Sequence, residues 1–157
     1  MNMVSSTNSI DAVVETINHN GRLFALIVSH RYNKPGITFF TQHDLSQQLA
    51  YIRHPAGKII DSHVHSPLAR EVLATQETLL VKRGKLRVDF YDDQRNYLES
   101  RIVEAGDVLL LIQGGHGFEV LEELEMFEVK QGPYAEDKIR FEAQLPPILN
   151  FGPVTNE

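Results

Sequence analysis

Glu77-Thr78-Leu79-Leu80-Val81-Lys82-Arg83-Gly84-Lys85-Leu86-Arg87-Val88-Asp89-Phe90-Tyr91 is the stretch on which the fold turns. After Gly84, Leu86, Val88 and Phe90 alternate with Arg87, Asp89 and Tyr91, the period of two that a half-buried strand requires. Before Gly84, Thr75, Glu77, Leu79 and Val81 share one face, expected to look inward, while Thr78 and Lys82 fall on the other.

Working outward, residues 108–112 read as a fully apolar strand entered through Gly106-Asp107, and residues 124–131 as another. Upstream, residues 23–28, 37–41, 47–53 and 59–65 are strand-like runs, broken by Asn33-Lys34-Pro35-Gly36 and Pro55-Ala56-Gly57. Residues 11–19 are expected to form a short helix ended by Asn18 and Asn20-Gly21. Short strands with turns between them and little helix predict an all-β sandwich or barrel. The expected division is an N-terminal extension over 1–20, a barrel over 21–145 and a tail over 146–157.

Composition narrows the function classes. At 157 residues the chain suits one domain with its own core, and 42% hydrophobic against 23% charged residues is a globular balance. A net charge of -6 with scattered Lys and Arg argues against a nucleic-acid groove or a polybasic membrane patch. The N-terminus lacks a basic region leading into an apolar one, and the longest apolar run, residues 23–28, is too short to span a bilayer. A cytoplasmic protein with no membrane partner is therefore expected. With no Cys, any metal must be held by His, carboxylate or backbone oxygen.

His63-Val64-His65 is the motif with the most chemistry. In an extended strand two residues at i and i+2 point to one face, so their imidazoles would converge. A carboxylate and a third imidazole from neighbouring strands would complete a metal site. Seven His in 157 residues would give such a pair about 0.3 times by chance, so context decides its weight. His19, His30, His43 and His54 have no comparable context, and surface or loop positions are expected for them.

That context resembles the cupin superfamily. Gly57, five residues, His63-Val64-His65, then Glu77, six residues and Gly84 follow its first motif, with a longer interval between His65 and Glu77. Gly106 and His116 keep the ends of its second motif, which here lacks the Pro and has Val120 where Asn is usual. The resemblance covers residues 50 to 130 and implies a double-stranded β-helix, a jelly-roll-like barrel. It implies a metal site of His63, His65, Glu77 and His116 facing the interior. Glu71 competes as the carboxylate because it is nearer His65, but only Glu77 has the six-residue distance to Gly84. The Gly114-Gly115-His116-Gly117 cluster reads either as a turn needing positive φ or as space opened beside the metal.

Imidazole and carboxylate ligands suit one divalent ion among Fe, Mn, Ni, Co and Zn. Gln48, Arg53, Lys130 and Tyr134, with Gln131, are candidates for lining the cavity, and a cation there would favour an anionic small-molecule substrate. For each residue taken singly the stronger reading is a side chain that points to solvent, as Lys and Arg on strands usually do. The leading expectation is a dioxygenase-type oxidoreductase. A metal-dependent isomerase or epimerase of a sugar or sugar acid and a non-catalytic ligand-binding module are the alternatives. The resemblance and the exposed edges of such a barrel also imply a homodimer.

Overall fold

The computed structural model describes residues 12–143, among which there are eight strands and no helix. They are β1 (Val14–His19), β2 (Arg22–Val28), β3 (Gly36–Phe39), β4 (Ala50–Arg53), β5 (Glu77–Tyr91), β6 (Tyr97–Glu104), β7 (Val108–Leu111) and β8 (Gly115–Lys130). Six form one antiparallel sheet in the order β1-β2-β7-β5-β6, with β8 beside β5, and β3 and β4 form a separate hairpin. The fold is all-β, a curled antiparallel sheet with the form of a half-barrel. Among the described residues no helix is long and apolar enough to cross a membrane.

β5 organises the molecule. Along one edge it pairs with β7 through Glu77 to Leu80 and then with β6 through Lys85 to Tyr91. Along the other edge β8 follows its whole length, from Glu77 opposite Lys130 to Tyr91 opposite Gly115. Both alternations in this strand face the core, but their parity differs. Leu79 and Val81 are buried before Gly84, and Leu86, Val88 and Phe90 after it. Register shifts between Val81 and Leu86 account for the switch. At the bend Gly84 has φ +89°, and a Cβ there would overlap the Glu123 carbonyl oxygen, so only glycine fits.

Ile17, Phe24, Ala25, Ile27, Val103, Leu109 and Leu111 complete the inner core with the β5 residues. A smaller cluster on the opposite face joins Leu26, Leu110 and Ile112 to Phe40, Leu45 and Leu49 of the β3–β4 connection. Gln47 ties that connection to β5: its backbone N–H donates to Gln76 Oε1, and its Oε1 accepts from Thr78 Oγ1.

The structure departs from the sequence reading in four places. The segment expected to be helical contains β1, because Val14, Thr16 and Ile17 are β-branched and Ile17 is buried against β2. The extension expected over 1–20 thus contributes a strand to the sheet, and residues 1–11 and 144–157, with the expected tail, lie outside the described residues. Residues 59–65 are not a strand: they lie in the exposed, irregular connection between β4 and β5, with no ladder partner. β6 had no counterpart in the sequence reading, since Glu99 and Arg101 interrupt its apolar pattern. Finally, only Gly114 of the glycine cluster turns, at φ +76°, while Gly115 to Gly117 begin β8.

Candidate functional site

Glu77 opens β5 and His116 lies at the start of β8, both on the inner face. Their registers place them at opposite ends of the β5–β8 ladder, with Glu77 opposite Lys130 and His116 opposite Phe90. Thirteen residues of straight strand would separate those ends by about 43 Å. Yet Glu77 Oε2 is 3.4 Å from His116 Nε2, so the curl of β5 and β8 carries one end round to the other.

Glu77 is only 7% exposed. Its carboxyl is held below the ordinary glutamate range, first by its hydrogen bond to His116 and then by the charges of His116, Lys130 and Lys138. Burial opposes these effects without cancelling them. Glu71, the competing carboxylate, lies exposed in the irregular connection.

His63 and His65 sit in that same connection with their rings edge to face, centroids 5.2 Å apart. They form a pair of their own without the strand expected to present them. His63 Nδ1 lies 2.9 Å from the Asp61 carbonyl oxygen. The four implied ligands therefore stand as two pairs. Among the described residues no three His, Asp or Glu side chains come close enough to share an ion. Glu77 and His116 supply the donor chemistry for half of a four-ligand site.

The other candidates separate by environment. Lys130 and Tyr134 line a recess of about 40 Å³ together with Thr75 and Asp137. The Tyr134 hydroxyl donates to Glu136, and Lys130 is paired with Glu128 at 3.1 Å. Gln131 closes the recess to the β3–β4 connection by donating to Ser46 and accepting from the Gln76 N–H. Gln48 is turned to the backbone of its own loop, donating to the Gln42 and Leu45 carbonyls. Arg53 donates to the Asn33 carbonyl at 2.6 Å. Those two serve local structure.

Two glycines of the cluster are filled by neighbouring rings, whereas a Cβ on Gly117 beside His116 would meet only Tyr91 at 3.9 Å. A Cβ on Gly114 would overlap the Phe24 ring, and one on Gly115 would meet Phe141 at 3.0 Å. Gly114 and Gly115 thus admit aromatic rings.

A polar locus without a sequence signal lies elsewhere. A cavity of about 630 Å³ is bordered by Glu15, Ile27, His30, Lys85, Glu104 and Asp107. His30 Nδ1 lies 2.9 Å from Asp107 Oδ1, which also accepts the His30 backbone N–H at 2.8 Å. No local pattern links residues 77 positions apart.

The fold and site define a class no narrower than an all-β half-barrel with a carboxylate–imidazole pair on its inner face. No protein family matches the chain, and neither a curated protein nor a solved structure does.

Proposed function

We propose that this chain binds one divalent metal ion and, beside it, a small anionic molecule at the inner face of the half-barrel, in the manner of a cupin. The observation that carries the reading is the Glu77–His116 pair: a nearly buried carboxylate, kept ionised, 3.4 Å from an imidazole nitrogen. Glu77 and His116 hold the ion, and His63 and His65, already adjacent to each other, supply the remaining donors from the connection between β4 and β5. In this reading Lys130, opposite Glu77 in the ladder, and Tyr134, which lines the same recess as Lys130, meet the anionic end of the ligand.

A bound divalent ion would supply Lewis acidity, and as iron a place for O2 beside the substrate. Dioxygenase-type oxidation is the leading form of this activity. Sugar or sugar-acid isomerisation uses the same ligands and differs in proceeding without O2. A non-catalytic ligand-binding module is the second reading, favoured by one observation: His116 and nearby cations already satisfy the Glu77 carboxylate.

Metal uptake by the purified protein tests the proposal, measured by elemental analysis and titration calorimetry for wild type, His116→Gln and the His63→Ala/His65→Ala double variant. One equivalent in wild type, lost in both variants, supports the four-ligand site. A wild type that takes up no Fe, Mn, Ni, Co or Zn sinks the metal reading and leaves the ligand-binding module. O2 consumption by the iron-loaded protein separates oxidation from isomerisation.

A further inference from the structure

After β8 ends at Lys130, the chain passes the place where the curled ladder brings Glu77 and His116 together. Residues 131–141 form no strand, yet they are fastened at two points. The Asp137 carboxylate accepts from the Thr75 hydroxyl, two residues before Glu77. The Phe141 ring packs edge to face on Tyr91, centroids 5.1 Å apart, with the Arg95 guanidinium 5.7 Å from the Phe141 centroid. The same ring fills the notch left by Gly115, one residue before His116. Four Cα steps from Asp137 to Phe141 cover at most about 14 Å. Lys138, between the two fastenings, is therefore held beside the Glu77–His116 contact.

The groups around that contact differ in what they already bind. Lys130 is paired with Glu128 at 3.1 Å, and the Tyr134 hydroxyl donates to Glu136. The Thr75 hydroxyl is the main cause that holds the Asp137 carboxyl below the ordinary aspartate range, ahead of the charges of Lys130 and Lys138. Lys138 is exposed, and among the described residues no carboxylate lies within ion-pair distance of it. It is near enough for its charge to act on Glu77, although the hydrogen bond from His116 does more to lower that carboxyl. An ammonium has three N–H donors and no acceptor, so an anion is its natural complement.

We infer that Lys138 binds a carboxylate of the ligand whose other end meets the ion held by Glu77 and His116. On the metal-binding reading, from which this follows, the ligand is a small molecule with a carboxylate at one end and a metal-binding oxygen at the other. One carboxylate matches the charge at hand. A divalent ion together with Lys130 and Lys138 outweighs Glu77, Glu128 and Asp137 by a single positive charge. Without the ion the same side chains carry a negative excess, so the carboxylate binds only after the metal.

Succinate is the probe, with one carboxylate for the ion and one for Lys138; in succinamate, its control, one of the two is a neutral amide. Titration calorimetry uses protein loaded with whichever of Fe, Mn, Ni, Co and Zn gives one equivalent. Wild type should bind succinate roughly tenfold or more tighter than succinamate, the scale of one charge-assisted hydrogen bond. Lys138→Met should lose that preference while keeping metal uptake and urea midpoint, because the side chain is exposed. Lys138→Arg should retain most of the preference. Arg140→Met, which removes a charge two residues away, should leave it intact. A wild type without the preference overturns the inference, as does a preference that survives Lys138→Met or falls equally in Arg140→Met. In those outcomes metal uptake persists and the metal site stands. A wild type that takes up no metal removes both.

Discussion

Glu77 and His116 meet at 3.4 Å although the β5–β8 ladder places them at opposite ends of β5. Their contact measures the curvature of the sheet. It also makes the candidate site depend on the bend at Gly84, seven residues from Glu77 in the same strand.

That dependence can be tested at the bend itself. Gly84→Ala forces a side chain into φ +89° and against the Glu123 carbonyl, so it should cost upward of about 1–3 kcal/mol. Gly57 has φ +85° with nothing within 4 Å of an added methyl group, so Gly57→Ala carries backbone strain alone, about 1 kcal/mol. Urea unfolding of both variants checks the difference. Equal costs would mean that the Glu123 carbonyl yields freely and does not define the bend.

The parts of this architecture visible in the sequence were those whose signal is local. The two alternations around Gly84 and the apolar run of β7 are written in consecutive residues, and both proved to be strands. The alternation of Thr75, Glu77, Leu79 and Val81 pointed to an inward carboxylate, and Glu77 is buried there. Residues 59–65 carry strand-forming side chains, but a strand needs a ladder partner, and none of the described strands provides one. β6 was hidden for the opposite reason. Its Arg101 is charged yet sits at the inner register, where it is accommodated by Glu15, 86 residues away. Which end of β5 meets which end of β8 depends on curvature, a property of the whole sheet that no short spacing encodes.

Core and edge positions of β5 should respond differently to truncation. Leu86 is fully buried in the inner cluster, so Leu86→Ala should cost about 2–5 kcal/mol through lost burial and the cavity it leaves. Leu80, one strand face away and partly open to solvent, should cost less than about 1 kcal/mol as alanine. Urea midpoints for the two variants give the comparison directly. A Leu80→Ala cost as large as that of Leu86→Ala would show that the outer face of β5 is covered in solution.

Asp92 should make the fold acid-sensitive. It closes the β5–β6 turn by accepting from the Gln94 and Asn96 backbone N–H groups and from the Asn96 side chain. The Asn96 amide contributes most to holding its carboxyl below the ordinary aspartate range, with His19 adding a smaller electrostatic effect. The folded value lies below the unfolded one. The stabilisation is therefore present above the ordinary aspartate value and is lost as pH falls through the lowered folded value. Asp92→Asn should flatten that part of the profile of unfolding midpoint against pH. Superimposable profiles for the two proteins would remove Asp92 as a source of acid sensitivity.

Asp107 should matter more to stability than the His30 ring it holds. One carboxylate oxygen accepts both the His30 N–H and its Nδ1, and the other accepts the Glu104 N–H at 2.9 Å, which fastens the end of β2 to the β6–β7 turn. Gly106 lets the two come together, since a Cβ there would stand 2.7 Å from the His30 Cβ. Asp107→Ala leaves two part-buried backbone N–H groups without their carboxylate, a loss of about 1–3 kcal/mol for each that water does not reach. His30→Ala keeps both backbone bonds and gives up only the imidazole contact, about 0.5–1.5 kcal/mol. Equilibrium unfolding should therefore rank Asp107→Ala well below His30→Ala in stability. The reverse order would mean that the imidazole, rather than the backbone clasp, holds this corner together, and would turn attention to the cavity that His30 borders.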